Sequence, residues 1–147
     1  MPLYAENRKA RHEYEILEKY EGGLVLLGSE VKAVREGGAK LEGSYVRLMR
    51  GELYLVGAQI RAYSKIFKRT EYDPERSRKV LVNARELHAL APKLAQKGLT
   101  LVPLSLYPLG RRVKLAFALC RGKKAHDKRE SLKERELSRR LRRNDDE

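Results

Sequence analysis

The chain has 147 residues, a mass of 17.0 kDa and 41% hydrophobic residues, enough for one domain with a core and too few for two ordinary ones. Its 33 Lys plus Arg against 20 Asp plus Glu give a formal charge of +13 and a pI near 10.0, which favours a polyanionic partner over a small neutral substrate. No apolar run approaches the roughly 20 residues of a bilayer-crossing helix, and the opening MPLYAENRKARHEYE has no apolar stretch of a secretory signal, so a cytoplasmic protein without membrane association is expected.

In chain order, Tyr14, Ile16 and Tyr20 alternate loosely before Gly22-Gly23 and the apolar run Leu24 to Leu27. This pattern predicts a bent strand with a glycine bulge. Ser29 is placed to cap a short helix through Arg35, closed by Gly37-Gly38. Tyr45 to Met49 and Leu53 to Val56 flank Arg50-Gly51 as a hairpin. Val80 to Val82 reads as a strand leading into a helix from about Asn83 to Gln96, with Leu87, Leu90 and Leu94 on one face and Gly98 as its stop. Pro92 inside that run predicts a kink or a split. A last strand pair, Leu99 to Tyr107 and Val113 to Cys120, surrounds Pro108, Leu109 and Gly110. Five or six short antiparallel strands with two or three helices suit a small closed barrel of the oligonucleotide-binding type, because closure removes exposed sheet edges.

The composition changes at Arg121. Residues 1–120 carry 22 basic and 13 acidic groups (net +9) among periodic apolar bursts, and are read as the folded, nucleic-acid-binding body. Residues 121–147 carry 11 basic and 7 acidic groups (net +4), with only Leu132, Leu137 and Leu141 as large apolar residues. Such a segment buries too little surface to offset its ordering entropy, so a basic tail, unstructured when alone, is expected. Ser131-Leu132-Lys133-Glu134 fits a capping box and Glu136 with Arg140 forms an i,i+4 pair, so the tail is expected to become helical only against a polyanionic groove.

Cys120 is the sole cysteine and lies in the apolar run Val113 to Cys120, which points to a buried, inert thiol and excludes an intrachain disulfide. His12, His88 and His126 are too scattered for a metal motif, so no metal or cofactor is expected. A Walker loop, a dinucleotide fingerprint, a nucleophile elbow and an HExxH pair are all missing, and acidic residues such as Glu13, Glu15 and Glu18 sit near cations. No catalytic residue is expected. Three basic blocks are placed to neutralise phosphates: Arg8, Lys9 and Arg11; Arg76, Arg78 and Lys79; and Lys123, Lys124, Lys128 and Arg129. Tyr14, Tyr20, Tyr45, Tyr54 and Tyr63 are candidate stacking faces for unpaired bases, or core residues with a wet hydroxyl. A general single-strand-binding or ribosomal structural protein would share these features.

Four blocks in order carry a more specific signal. They are Asn7-Arg8-Lys9-Ala10-Arg11-His12-Glu13-Tyr14, Gly28-Ser29-Glu30-Val31-Lys32, Tyr72-Asp73-Pro74 with Arg78-Lys79-Val80-Leu81-Val82-Asn83, and Gly122-Lys123-Lys124-Ala125-His126-Asp127-Lys128-Arg129. Their order and spacing closely resemble the SsrA-binding protein family, also called small protein B, across nearly the whole chain. The resemblance implies an oligonucleotide-binding-type barrel with added helices that binds the tRNA-like part of transfer-messenger RNA. It also implies delivery of that RNA, with elongation factor Tu, to ribosomes stalled without a stop codon, the tail occupying the empty mRNA path and decoding centre. A monomer is expected in the free state. Carried over by position, the RNA-contacting residues are Asn7, Glu21 and Leu81, with His12 and Lys79 in the same surface beside Arg8, Lys9 and Arg11. Glu21 would accept a hydrogen bond from a base amine or a ribose hydroxyl. Lys123, Lys124, His126, Asp127, Lys128 and Arg129 match the segment used at the decoding centre. The chain departs from the pattern at Ser29 and Ala33, both small, and at its acidic end, Asp145 to Glu147.

Overall fold

A computed structural model describes residues 3–63 and 71–122. Six strands close into an antiparallel ring: β2 (Tyr14–Leu24), β4 (Tyr45–Met49), β5 (Glu52–Val56), β7 (Arg78–Leu81), β8 (Leu99–Leu109) and β9 (Arg112–Gly122). The order around the ring is β8-β4-β5-β7-β2-β9, and pairing of β9 with β8 closes it. Among the described residues the short β1 (Ala5–Glu6) adds to β8, while β3 (Ala39–Lys40) and β6 (Gln59–Ile60) form a separate two-stranded sheet. The expectation of a mainly β chain with a small closed antiparallel barrel and two or three helices is met, with a ring of six strands.

Alternation along the strands creates two faces. Val113, Leu115, Phe117 and Leu119 of β9, with Leu53, Leu55, Val80, Leu101 and Leu106, fill the interior. Two helices, α2 (Gly28–Arg35) and α3 (Ala84–Leu94), add Ala33, Val34 and Leu90 to that core. The even-numbered residues Ala118 and Cys120 face outward instead, where Ala10 of α1 (Arg8–Glu13) covers them in a second, smaller cluster. Burial pushes the Cys120 thiol up to about 11, so it is protonated and inert as expected.

Several elements differ from the sequence pattern for local reasons. The two hairpin turns are tight: Arg50 and Gly51 have φ of 52° and 77°, and Gly110 opens the β8–β9 turn at φ 62°. Irregular register in the long strands falls between Ile16 and Glu18 and between Pro103 and Ser105, not at Gly22-Gly23 as expected. Gly22 serves a different need. A Cβ there would lie 2.6 Å from the Val80 Cγ1 and 3.0 Å from the Leu81 carbonyl, so only glycine lets β7 approach β2. Leu27, not Ser29, occupies the cap position of α2, and its N–H donates to the Glu30 carboxylate at 2.9 Å. Asn83 caps α3 by accepting the Glu86 N–H at 2.9 Å. Pro92 neither splits α3 nor ends it; it stands in the final turn, where its missing N–H forfeits only one bond.

Candidate nucleic-acid interface

The outer face of the ring organises most of the predicted contact residues. Asn7 joins β1 to α1 and is 5% exposed, its side-chain amide donating to the Pro103 carbonyl of β8 at 2.9 Å. It therefore locks α1 onto the sheet and does so from the rim of a cleft of about 350 Å³ that also takes in Lys9, Tyr14 and Tyr45. Arg8, Lys9, Arg11 and His12 are exposed on α1. Arg11 and His12 fall in its last turn, where a cation is favoured by the helix dipole. Two of the cations have loose partners: Arg8 lies 3.7 Å from Glu6 and Lys9 lies 3.8 Å from Glu42, all largely exposed. Pairs of this kind are weak and readily exchanged for phosphate.

Glu21 and Leu81 meet further along the same face. Gly23 pairs with both Leu81 and Lys114, and Lys114 pairs with Tyr107, so one outward row runs Leu81, Gly23, Lys114, Tyr107 across four strands. Glu21, two residues before Gly23, lies on the same face of the same strand, paired with Ala116. It is therefore a strand residue beside the row and not a loop charge. Partial desolvation, and then the Glu21 carboxylate, push the Tyr107 hydroxyl above its ordinary value. Leu81 is 52% exposed, so it is no core residue; it lines a groove of about 460 Å³ with Val25, Arg111, Arg112 and Lys114. Those three cations and Tyr107 were not singled out by the sequence. Only the register of four strands brings them beside Leu81.

Lys79 precedes Leu81 by two residues and shares its face, with its ammonium 3.0 Å from Glu52. Its neighbours in the second basic block are spent elsewhere. Arg78 is fully buried, donating to Glu30 at 2.9 and 2.7 Å, to the Ala58 carbonyl at 2.9 Å and to the Pro74 carbonyl at 3.0 Å. Arg76 also pairs with Glu30, through its Nε at 3.1 Å and through its terminal nitrogen, and the Tyr72 hydroxyl lies 2.9 Å from the same carboxylate. Burial alone would raise the Glu30 carboxyl, but Arg76, the Leu27 N–H, Arg78 and Tyr72 outweigh it and hold the group at about 2. The phosphate-neutralising reading of this block fails at Arg78, because a buried guanidinium must be matched by acceptors inside the fold, and it leaves Lys79 as the block's candidate on the outer face.

The tyrosines divide as well. Tyr20 stacks on Phe117 with centroids 5.7 Å apart, and Tyr63 packs on the same core under the Lys32 ammonium at 5.5 Å. Tyr14 covers the outer cluster and its hydroxyl donates to that of Tyr45 at 3.2 Å. Tyr45 and Tyr54 are held on the outer face by the register of β4 and β5. Lys123, Lys124, His126, Asp127, Lys128 and Arg129 lie outside the described residues. Among the described residues there is no group of three or more His, Cys, Asp or Glu placed to hold a metal ion, and no helix long and apolar enough to cross a membrane.

A closed antiparallel ring with an outward face of cations, tyrosines and the exposed Leu81 defines an oligonucleotide-binding-like barrel. The chain belongs to the SmpB protein family, whose model matches residues 4–147. It is 48% identical over 139 residues to the SsrA-binding protein of Syntrophobacter fumaroxidans, covering 95% of this chain and 86% of that protein. With the SsrA-binding protein of Thermosynechococcus vestitus the identity is 48% over 141 residues, covering 96% and 93%. Among solved structures, a chain described under "tmRNA-SmpB: a journey to the center of the bacterial ribosome" superposes with a TM-score of 0.67 at 50% identity, covering 82% of this chain and 84% of that one.

Proposed function

We propose that this protein binds the tRNA-like domain of transfer-messenger RNA and delivers it, in a complex with elongation factor Tu, to stalled bacterial ribosomes in the cytoplasm. It acts by binding and not as an enzyme, uses no cofactor, and is a monomer before it meets the RNA. Residues 1–120 form the RNA-binding body. Arg8, Lys9 and Arg11 of α1 and Lys79 of β7 supply positive charge, His12 contacts the RNA from the same surface, Glu21 accepts from a base or ribose, and Leu81 covers an apolar face of the RNA. Asn7 contributes from the rim of the α1 cleft and holds that helix in place. Arg121 and Gly122, expected to begin the tail, are instead the last residues of β9, so it is residues 123–147 that enter the empty mRNA path and decoding centre, with Lys123, Lys124, His126, Asp127, Lys128 and Arg129 meeting ribosomal RNA.

The observation that carries this reading is the continuous outer face. It joins exchangeable cations on α1 to the Leu81, Gly23, Lys114, Tyr107 row, with Glu21 beside it. Cations alone attract any polyanion; a carboxylate and a leucine set among them pay off only against a partner of defined shape. Competition between a folded tRNA-like RNA and an unpaired oligomer of equal charge tests it. The folded RNA should stay bound in a large excess of the oligomer, with affinity falling steeply as salt rises. Equal competition would leave a general single-strand binder instead.

A further inference from the structure

We propose that Tyr54 is a stacking platform for an unpaired nucleobase of the bound RNA, with Arg47 and Arg50 holding the phosphates on either side of that base. The inference rests on the RNA-binding function just described and extends the interface beyond Leu81 onto the β4–β5 hairpin.

Tyr54 is an aromatic residue that the fold does not use for packing. Tyr4, Tyr14, Tyr20 and Tyr63 join one or other apolar cluster, whereas Tyr45, Tyr54, Tyr72 and Tyr107 join neither, and of these half-buried Tyr54 has a cation paired beside it on both neighbouring strands. It stands between inward-facing Leu53 and Leu55 on β5, so its ring lies on the outer face of the sheet. That ring is held in place. The Glu52 carboxylate accepts the Tyr54 hydroxyl at 2.7 Å through one oxygen and the Lys79 ammonium at 3.0 Å through the other. One surface carboxylate therefore fixes an aromatic ring and a cation together, and prior ordering of this kind lowers the entropy lost when a ligand binds.

The charges around the ring match a nucleotide strand. In register, Tyr54 pairs with Arg47 on β4 and with Lys79 on β7, so a cation flanks it on each side. Arg47 is exposed. Arg50, at the hairpin tip with φ 52°, acts electrostatically on the same hydroxyl, opposing the upward pull of Glu52. Three cations stand around the Tyr54 ring, and the Glu52 carboxylate beside it is committed to Tyr54 and Lys79, which leaves the two guanidinium groups for phosphate and an aromatic face for a base. Continuity with the Leu81 row is direct, because Lys79 and Leu81 lie on one face of β7.

The test compares the full chain with its Tyr54→Phe and Tyr54→Leu variants for affinity to the tRNA-like RNA. Tyr54→Leu keeps an apolar strand residue but loses the ring, and should bind about tenfold more weakly. Tyr54→Phe keeps the ring and loses only the hydroxyl bond that orders it, so its loss should be smaller, within about threefold. Wild-type affinity in the leucine variant, or an equal loss in both variants, overturns the platform. Photo-cross-linking of the unaltered protein to the same RNA, with 5-iodouridine in its unpaired loops, gives a second measurement that does not depend on any variant folding. An adduct at Tyr54 is expected, and adducts confined to other residues overturn the proposal. An adduct at Tyr54 with an unpaired oligomer that competes equally with the tRNA-like RNA would uphold the platform while overturning the tRNA-specific function.

Discussion

Glu30 carries its charge to a place with no solvent exposure, and it is tolerable there because two guanidinium groups, a tyrosine hydroxyl and a helix N–H converge on it. Two of the four sequence blocks, Gly28 to Lys32 and Tyr72 to Pro74 with Arg78 to Asn83, thereby meet at one carboxylate. The arrangement sets a pH dependence whose direction follows from linkage. The folded-state carboxyl sits at about 2, below its ordinary value of 4.5, so its stabilisation is fully present above pH 4.5 and is lost as pH falls toward 2. Urea unfolding between pH 6 and pH 2.5 should therefore show a steeper loss for the unaltered protein than for Glu30→Gln. At neutral pH the variant should be less stable by about 3–5 kcal/mol, because Arg78 is left buried beside a neutral partner. Equal pH slopes would mean that the carboxylate contributes little through its charge. The pairing was invisible in the sequence because no local period links residue 30 to residue 78; Arg78 beside Lys79 looked like one more exposed cation.

Strand β2 shows how an element inherits its shape from partners far along the chain. Gly22 and Gly23 look equivalent in sequence, yet a Cβ at Gly22 collides with Val80 and the Leu81 carbonyl, while one at Gly23 meets Leu81 only at 3.7 Å. Gly22→Ala should cost about 1–3 kcal/mol, the usual range for forcing a methyl group into a packed site. Gly23→Ala should cost markedly less, and thermal unfolding of the two variants orders them; the reverse order would remove the close β2–β7 approach as the reason for the glycine. The Arg50-Gly51 and Gly110 turns, the start of α3 near Asn83 and the Leu87, Leu90, Leu94 face were legible because each is decided within a few residues. The α2 cap was misjudged because Glu30 reaches back to Leu27 and supplies the acceptor that Ser29 was expected to offer. Likewise the candidate site was legible where one short run, Arg8, Lys9 and Arg11, carries its own cations. It was hidden where Tyr107, Lys114 and Arg111 reach Leu81 only through strand order.

For the whole molecule, charge is divided between two parts that the proposed function uses differently. Residues 1–120 carry a net +9 and the remaining 27 a net +4, so each can attract RNA, and the ring of strands in the former supplies a folded face with which to read its shape. Binding of the tRNA-like RNA and action on the ribosome should then separate. Changing Asp127, Lys128 and Arg129 together to Ala alters the formal charge by only −1, leaves α1, Lys79, Glu21 and Leu81 untouched, and should keep affinity for the tRNA-like RNA within about threefold, the shift expected for one phosphate contact over a modest salt range. Peptide tagging on ribosomes stalled on a truncated message should nevertheless be lost. A low-hydrophobicity, highly charged segment must exchange its conformational entropy for contacts on its target, and charge-assisted hydrogen bonds to ribosomal RNA are the contacts these three residues can make. Under the proposed function that exchange takes place in the empty mRNA channel, and it would report that the channel is vacant. Tagging of a truncated-message product, with RNA affinity measured beside it, decides the matter. Normal tagging by the triple variant would remove these residues from the mechanism, and a parallel loss of RNA affinity would move them into the RNA-binding surface.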